Sequence, residues 1–260
     1  MRASNAEGRP VTNGWRESAA AWIAEMGEHG DFGREFILDP ALRDRLARRS
    51  FARALDVGCG EGRLCRMLRE FGVEAVGIDP TEPLLDEARR RDPTGDYRHG
   101  RAEELAFDDE SFDLVISCLT LIDIDDASRA IAEMARVLRP GGILLIANLT
   151  SFGTAGIGEG LGWAENAEGE KAHFRIDNYL QEKPLRVSWR GISVTNWHRP
   201  LGSYFSALLG AGLRLEHFSE PTPRGCAPDL IASYERMPYF LLMEWSKDRA
   251  PPRVEAGRSF

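Results

Sequence analysis

Short apolar runs alternate with amphipathic stretches along most of the chain. Five runs are typical of buried strands, at 54–57, 74–78, 96–99, 111–118 and 143–147. Apolar residues spaced three and four apart predict helices at 15–26, 36–46, 64–69, 84–91, 127–138 and 201–211. Strands that alternate with helices in this way indicate an α/β fold around a parallel sheet. A chain of 260 residues, 43% of them apolar, can bury a single core of that size.

The pattern changes in the last third of the chain. Residues 151–199 include a glycine-rich, irregular stretch followed by strand material around Gly191. This segment is too long for an ordinary connection, and such insertions usually serve as lids or binding loops. Two further strands, at 213–219 and 239–245, flank a loop rich in proline and glycine and close the sheet. We therefore expect a substrate cap after the fifth strand.

Charge and composition exclude several partners. The chain has 41 acidic against 33 basic residues and no dense basic run, so we expect no nucleic-acid partner. No apolar run is long enough to cross a bilayer and the N-terminus lacks a signal core, so we expect a cytoplasmic protein. The four cysteines, at 59, 65, 118 and 226, contain no C-x-x-C pair and are interpreted as buried thiols.

A glycine turn between the first strand and its helix is the clearest chemical signal. The stretch reads ALDVGCGEGRLCRMLR, with glycines at 58, 60 and 62. Such a turn lets backbone N–H groups approach a ligand closely, and we expect a nucleoside derivative there. A dinucleotide fingerprint requires its third glycine at position 63, which is arginine. Asp79 ends the second strand about twenty residues later, where an acid meets a ribose diol.

The motifs LDVGCGEGRL, VGIDPTEPLL and RVLRPGG resemble those of class I S-adenosylmethionine-dependent methyltransferases, a bacterial small-molecule branch with a type 11/25-like domain. The resemblance implies a Rossmann-like seven-stranded sheet, with its last strand antiparallel and helices on both faces. It also implies S-adenosylmethionine as cofactor. We predict the following division of the chain: a disordered N-terminus at 1–14, helices covering the cofactor site at 15–50, a cofactor-binding core at 51–150, the cap at 151–200, the C-terminal part of the core at 201–247 and a disordered tail at 248–260.

The resemblance places the cofactor among residues at the carboxyl ends of the strands. It implies that the glycine loop holds the methionine part, Asp56 its amino end, and Asp79 the ribose. The predicted cofactor contacts are Arg34, Asp56, Gly58, Cys59, Gly60, Gly62, Asp79, Pro80, Ala102, Glu103, Cys118, Leu119 and Leu121. Arg34 is either a partner of the cofactor carboxylate or a solvated surface cation. Thr81 is expected to cap the following helix and leave Asp79 free.

Two clusters have competing interpretations. The acids Asp123, Asp125 and Asp126 could bind a divalent cation, but a helix cap is favoured and no metal is predicted. His198, where the cap meets the core, is either a general base or a histidine that orders the hinge by bonding to backbone, and the second is slightly favoured. The predicted substrate contacts are Asn148, Tyr179, Trp189 and Trp197.

These features predict an enzyme that transfers a methyl group to an oxygen or nitrogen of a small molecule by in-line displacement. The alternatives are a nicotinamide-dependent oxidoreductase and a non-catalytic cofactor-binding regulator. We expect a small-molecule methyl acceptor and no membrane partner. The sequence leaves open whether the protein is a monomer or a homodimer.

Overall fold

The structure, a computed structural model, describes residues 13–248. The two predicted disordered termini lie almost entirely outside these residues. Within them, no helix is both long and apolar enough to cross a membrane. The sheet and its covering helices position the candidate site.

The described chain contains eleven strands. They are β1 (Arg53–Val57), β2 (Glu74–Asp79), β3 (Asp96–His99), β4 (Phe112–Cys118), β5 (Leu138–Leu149), β6 (Gly162–Glu165), β7 (Lys171–Arg175), β8 (Lys183–Trp189), β9 (Ile192–His198), β10 (Leu213–Ser219) and β11 (Phe240–Lys247).

Eight α-helices accompany them, and a π-helical turn at Arg34–Leu38 runs directly into the second. They are α1 (Trp15–Met26), α2 (Asp39–Leu46), α3 (Arg63–Glu70), α4 (Glu82–Arg91), α5 (Ala127–Val137), α6 (Ser151–Ala155), α7 (Leu201–Gly210) and α8 (Pro228–Glu235). Pro40 lies in the first turn of α2, where its missing N–H costs nothing.

Seven strands form one sheet in the order β10-β11-β5-β4-β1-β2-β3. Strands β1 to β5 are parallel, and β11 runs antiparallel to both β5 and β10. The predicted sheet, with its last strand antiparallel, is thus confirmed. The order reverses between β1 and β4, and ligands of open α/β sheets bind beyond the carboxyl ends at such a point.

Both faces of the sheet are buried, which explains the continuous apolar runs in its central strands. In β4, Val115 faces one core cluster with α5 and α7, while Leu114 and Ile116 face a second cluster with α2, α3 and α4. Successive side chains of β4 therefore pack into two apolar layers, one on each face of the sheet. The helices of both layers hold the strand ends in fixed positions.

The cap has more regular structure than the sequence pattern predicted. The stretch predicted to be irregular contains the short helix α6 and the antiparallel hairpin β6–β7, and β8 and β9 form a second hairpin turning at Arg190 and Gly191. The loop expected between the last two strands contains α8. A third apolar cluster joins α1 to β9 through Trp22, Met26 and Val194.

The four cysteines are free thiols, but only two of them are fully buried as predicted. Cys59 and Cys65 lie inside the core, whereas Cys118 and Cys226 are partly exposed. The difference at Cys118 has a simple reason, since it ends β4 at the edge of a cleft.

Candidate active site

A cleft opens at the carboxyl ends of the parallel strands, with about 970 Å³ of space that includes its open mouth. Its walls are the glycine turn after β1, the tip of β2, the segment after β3, the end of β4 and helix α1. The sequence motifs for a nucleoside ligand thus converge on one cavity.

The glycine turn has backbone angles that side chains with a Cβ rarely adopt. Gly60 has a φ of 53°, and no atom outside the turn lies within 4 Å of the position that a Cβ would take. Gly62 has a φ of 79°, and a Cβ there would lie 2.7 Å from the Tyr97 ring. Gly60 therefore leaves open space on the cleft side, whereas Gly62 allows the turn to pack against β3 and does not line the cleft.

Asp79 lies at the tip of β2, and each of its carboxylate oxygens accepts a hydrogen bond from a backbone N–H group that lines the cleft. Its Oδ2 accepts from the Gly60 backbone N–H at 3.0 Å and its Oδ1 from the Thr81 N–H at 2.8 Å. Burial raises its pKa, and these two hydrogen bonds oppose the rise. Each carboxylate oxygen has two lone pairs, so Asp79 can still accept from a ligand.

This geometry corrects the expectation for Thr81. The Thr81 side chain makes no capping hydrogen bond to α4. Instead the Asp79 carboxylate accepts the Thr81 N–H, so Asp79 is partly engaged in shaping the turn and is not fully free as predicted.

Asp56 carries an unsatisfied oxygen at the base of the cleft. The residue is 1% exposed, and its Oδ2 accepts only a weak bond from the Cys65 thiol at 3.5 Å. Its Oδ1 has no hydrogen-bond partner. Burial raises the pKa of Asp56 to about 7, against the opposing effects of Cys65 and Arg63. A buried carboxylate in this state is poised for a cationic partner, because an unpaired buried charge is costly.

Cationic and aromatic groups from the N-terminal helices form the opposite wall. The Arg34 guanidinium lies 4.6 Å from the centre of the Trp22 ring and pairs with Asp31 at 2.8 Å. Trp22 in turn donates to the buried carboxylate of Glu61 at 3.2 Å. Arg34 lines the cleft with a largely buried side chain, which argues against the solvated-cation interpretation.

Asp123 lies where the cleft meets a second, larger groove. Its Oδ1 accepts from the Asn196 side chain on β9 at 2.6 Å. Burial raises the pKa of Asp123 to about 8, hydrogen bonding from Trp15 and Asn196 opposes the rise, and the charge of Asp79 adds to it. Because of this pKa, Asp123 is a stronger base than an ordinary aspartate.

The other two acids of that cluster do not build a metal site. Asp126 caps α5, as predicted for one of the three acids, by accepting from the Arg129 N–H at 3.0 Å. Across residues 13–248, no group of three or more histidine, cysteine or acidic side chains is arranged to hold a metal ion.

Most predicted cofactor residues line this one cleft: Arg34, Asp56, Gly58, Cys59, Gly60, Asp79, Pro80, Ala102, Glu103, Cys118 and Leu119. Leu121 is an exception. It is 1% exposed and belongs to the core cluster under α5, so it does not line the cleft. We withdraw the cofactor contacts predicted for Leu121 and Gly62.

His198 is buried and both of its ring nitrogens are engaged. Its Nε2 lies 2.8 Å from the Tyr179 carbonyl oxygen, which can only accept, so this nitrogen carries a proton. Its Nδ1 lies 2.7 Å from the Thr154 hydroxyl. The residue is 0% exposed and lines neither the cleft nor the groove. The geometry corresponds to the histidine that orders the hinge, and the catalytic assignment is withdrawn.

None of the four predicted substrate contacts lines the cleft, and three of them also lie away from the adjoining groove. Asn148 is buried at the end of β5, and Tyr179 stacks on Phe152 with ring centres 5.4 Å apart. Trp189 lies at the tip of the β8–β9 hairpin and is 38% exposed. Trp197 alone of the four lines the groove that adjoins the cleft.

Sequence reasoning missed several groups that the fold brings to the cleft, namely Asn13, Glu61, Thr120 and the lining role of Asp123. Glu61 lies inside the glycine motif, between two of its glycines. Asp123 was predicted only as a metal ligand or cap. Its place in the turn that follows β4, among the apolar residues Leu121, Ile122 and Ile124, was the available signal.

Comparison with known proteins gives a consistent result. The methyltransferase domain family matches residues 55–146. Malonyl-[acyl-carrier protein] O-methyltransferase of Salmonella typhimurium is 33% identical over 179 residues, which cover 66% of this chain and 69% of that protein. Ubiquinone biosynthesis O-methyltransferase of Mesorhizobium japonicum is 36% identical over 113 residues, which cover 41% of this chain and 45% of that protein.

A solved structure agrees over nearly the whole fold. The S-adenosylmethionine-dependent methyltransferase of Mesorhizobium loti is 30% identical, with a TM-score of 0.72 over 85% of this chain and 100% of that one. The residues present fit the cofactor, since Asp56 offers an unpaired buried oxygen and Gly60 an open cradle. The chain therefore belongs to the S-adenosylmethionine-dependent methyltransferases, and its cofactor is S-adenosylmethionine.

Proposed function

We propose that this methyltransferase acts on an oxygen or nitrogen atom of a small molecule bound beside the cofactor cleft. The observation that carries the proposal is the groove that joins the cleft at Asp123 and extends between α5, α7 and the β8–β9 hairpin. A cavity that continues from the cofactor cleft gives an acceptor a place next to the reacting methyl group.

Within the cleft, each end of the cofactor has a matching group. Asp79 accepts from the ribose hydroxyls, since a carboxylate can accept from both. Asp56 would receive the ammonium group, and Arg34 would pair with the carboxylate of the methionine part. Ala102 and Glu103 would border the adenine, while Cys118 and Leu119 would line the adenine pocket or the path of the methyl group.

The bound cofactor supplies a methyl group on a positively charged sulfur, which leaves as a neutral thioether. The protein contributes alignment and the exclusion of water, which together can supply about 7–11 kcal/mol of the barrier. Helix α1 contributes to the exclusion, because Trp15 and Trp22 close the cleft from above with rings 4.9 Å apart. Asp123, with its pKa of about 8, is suited to take a proton from the acceptor.

The formal net charge of −8 and the acids around the groove disfavour a nucleic-acid acceptor. The cap borders the groove through β9, which contributes Thr195 and Trp197 to its lining. Two backbone bonds, from Thr195 N–H to the Asn13 carbonyl at 2.8 Å and from Trp197 N–H to the Ile122 carbonyl at 2.5 Å, hold the cap in this position.

Two measurements test the proposal. Isothermal titration with S-adenosylhomocysteine should show stoichiometric binding to the purified protein. Incubation with S-adenosylmethionine labelled in its methyl group and a defined library of small metabolites should then transfer the label to one or a few of them. Label that appears only on added RNA or protein, and on no small molecule, would refute the proposed acceptor class while leaving the family assignment intact.

A further inference from the structure

The groove beside the cleft has features that the cofactor does not need. It has an open volume of about 2720 Å³ and shares five lining residues with the cleft, which are Asn13, Pro80, Thr81, Arg101 and Asp123. Two of the five carry charge. Arg101 is largely exposed and pairs with Glu103 at 2.6 Å, so its charge is compensated. Asp123 is the carboxylate that a molecule in the groove meets on reaching the cleft.

Acidic groups outnumber basic ones along the described groove. Five carboxylates line it, at Glu17, Asp123, Asp125, Asp126 and Glu182, against three guanidinium groups at Arg16, Arg101 and Arg199. The excess is larger than these numbers suggest, because two of the guanidinium groups are already engaged.

Arg199 illustrates this engagement. Its side chain is 5% exposed and donates to the carbonyl oxygens of Leu121 at 3.0 Å, Ile124 at 2.6 Å and Asp125 at 2.7 Å. The guanidinium therefore fixes the loop that carries Asp123. It also pairs with Glu182 of the same groove at 3.7 Å, so Arg199 is not a free cation for a carboxylate ligand.

A second, independent feature indicates a ligand. Tyr204 lines the groove from α7 and is 3% exposed, and its hydroxyl, near the side chains of Arg199 and Asn148, makes no hydrogen bond of normal geometry. A buried hydroxyl without a partner costs about 1–3 kcal/mol, and ligand sites are where such costs are tolerated. Apolar surface from Ile131, Pro184, Trp197 and Ala207 lies beside it.

We propose that the groove is the acceptor site and that it selects molecules carrying a protonated amine, with Asp123 as the group that binds the ammonium. The inference rests on the proposed small-molecule function and adds the charge of the acceptor. A half-buried carboxylate held by Asn196 lacks a cationic partner of its own in the groove, and an ammonium group supplies one. The apolar side chains then take the hydrocarbon part of the molecule.

The same contact accounts for the proton. An ammonium nitrogen has no free lone pair until one N–H bond breaks, and the electron pair of that bond then stays on nitrogen. The proton passes to the Asp123 carboxylate, which becomes the neutral acid. Asp123 therefore both binds the amine and prepares it as a nucleophile.

Three probes built on one ring test the selection by charge: tyramine, which is cationic, tyrosol, which is neutral, and 4-hydroxyphenylacetate, which is anionic. Each is titrated calorimetrically near pH 8 into the protein saturated with S-adenosylhomocysteine. We expect tyramine to bind at least about tenfold more tightly than 4-hydroxyphenylacetate, the effect of one charged hydrogen bond, with tyrosol between them. Equal binding of the three, a preference for the anion, or no binding of tyramine at millimolar concentration would overturn the proposal.

Variants then assign the selection to one residue. Asp123→Asn should weaken tyramine binding about tenfold and leave tyrosol binding within about twofold. The matched control is Asp96→Asn, which removes a surface carboxylate that pairs with Arg98 outside the groove and should change neither. An unchanged tyramine preference in Asp123→Asn, with normal thermal stability and normal S-adenosylhomocysteine binding, would overturn the role of Asp123. Because these are binding measurements, they separate this inference from the methyl-transfer test.

Discussion

The cofactor cleft and the cap differ in whether their buried polar groups have hydrogen-bond partners within the protein. In the cleft, Asp56 keeps one oxygen unpaired and Asp79 keeps free lone pairs after its two backbone bonds. In the cap, both nitrogens of His198 are paired, and Asn196 donates to Asp123. Asp56 and Asp79 in the cleft are thus available to a ligand, whereas His198 and Asn196 in the cap hold the structure together.

The largest expected effect tests the cleft side of this comparison. Asp79→Ala should weaken binding of S-adenosylhomocysteine by about 3–6 kcal/mol, because each of two hydrogen bonds to a charged acceptor is worth about 1.5–3 kcal/mol. Isothermal titration measures the change. The matched control is Asp96→Asn on the neighbouring strand, whose carboxylate pairs with Arg98 at the surface. If Asp79→Ala binds as tightly as the unaltered protein, Asp79 has no place in the site.

Variants of Leu119 and Leu121 distinguish a residue that lines the cleft from one that packs in the core. Leu121→Ala should lower the free energy of unfolding by about 2–5 kcal/mol, because it empties space in a packed cluster, and should leave cofactor affinity unchanged. Denaturant titration and calorimetry measure the two quantities. Leu119→Ala should weaken cofactor binding and leave the free energy of unfolding unchanged, since Leu119 lines the cleft at the end of β4. Loss of cofactor affinity in the folded Leu121→Ala protein would restore the assignment that the structure led us to withdraw.

The core half of the molecule could be predicted from local patterns. Gly60 and Asp79 act through backbone angles and strand ends, which a short window of sequence specifies. The sheet order follows from the same elements, because parallel strands joined by helices admit few topologies. Errors in this half were small, as for Leu121, where the sequence indicated the loop but not which of its side chains turn inward.

The cap could not be predicted in the same way. The environment of His198 depends on Thr154 and on the Tyr179 carbonyl, which lie 44 and 19 residues away in the chain. The role of Asp123 depends on Asn196, 73 residues away. Such contacts are set by tertiary packing and leave no periodic signal. The sequence therefore left two roles open for His198, and it suggested a metal ligand or a helix cap for Asp123, which lines the site.

The pH dependence of stability sharpens the comparison at Asp56. Its folded-state pKa of about 7 lies above the ordinary 3.8, so the folded protein binds this proton more tightly. The resulting stabilisation is complete below about pH 4 and is lost as the pH rises through about 7, a change of up to about 4 kcal/mol. In the cofactor-free protein, Asp56→Asn should remove this loss and be more stable than the unaltered protein at pH 8.

Denaturant unfolding at a series of pH values measures the difference between the two proteins. Asp79 and Asp123 also titrate with raised pKa values, and subtraction of one protein's curve from the other removes their contribution. A difference that stays constant from pH 4 to pH 8 would mean that Asp56 does not carry an unpaired charge in the cleft.

The smallest expected effect tests the cap side. His198→Ala should lower the free energy of unfolding by about 1–3 kcal/mol, because it leaves buried hydrogen-bond partners unsatisfied. Its methyl-transfer rate at temperatures where it is folded should stay within about twofold, whereas loss of a general base costs about 10²–10⁴-fold. Trp189→Ala, an exposed change at the tip of the same cap, should alter stability by no more than about 0.5 kcal/mol. A rate loss of hundredfold in folded His198→Ala, with normal S-adenosylhomocysteine binding, would return His198 to the catalytic machinery and break the division between cleft and cap.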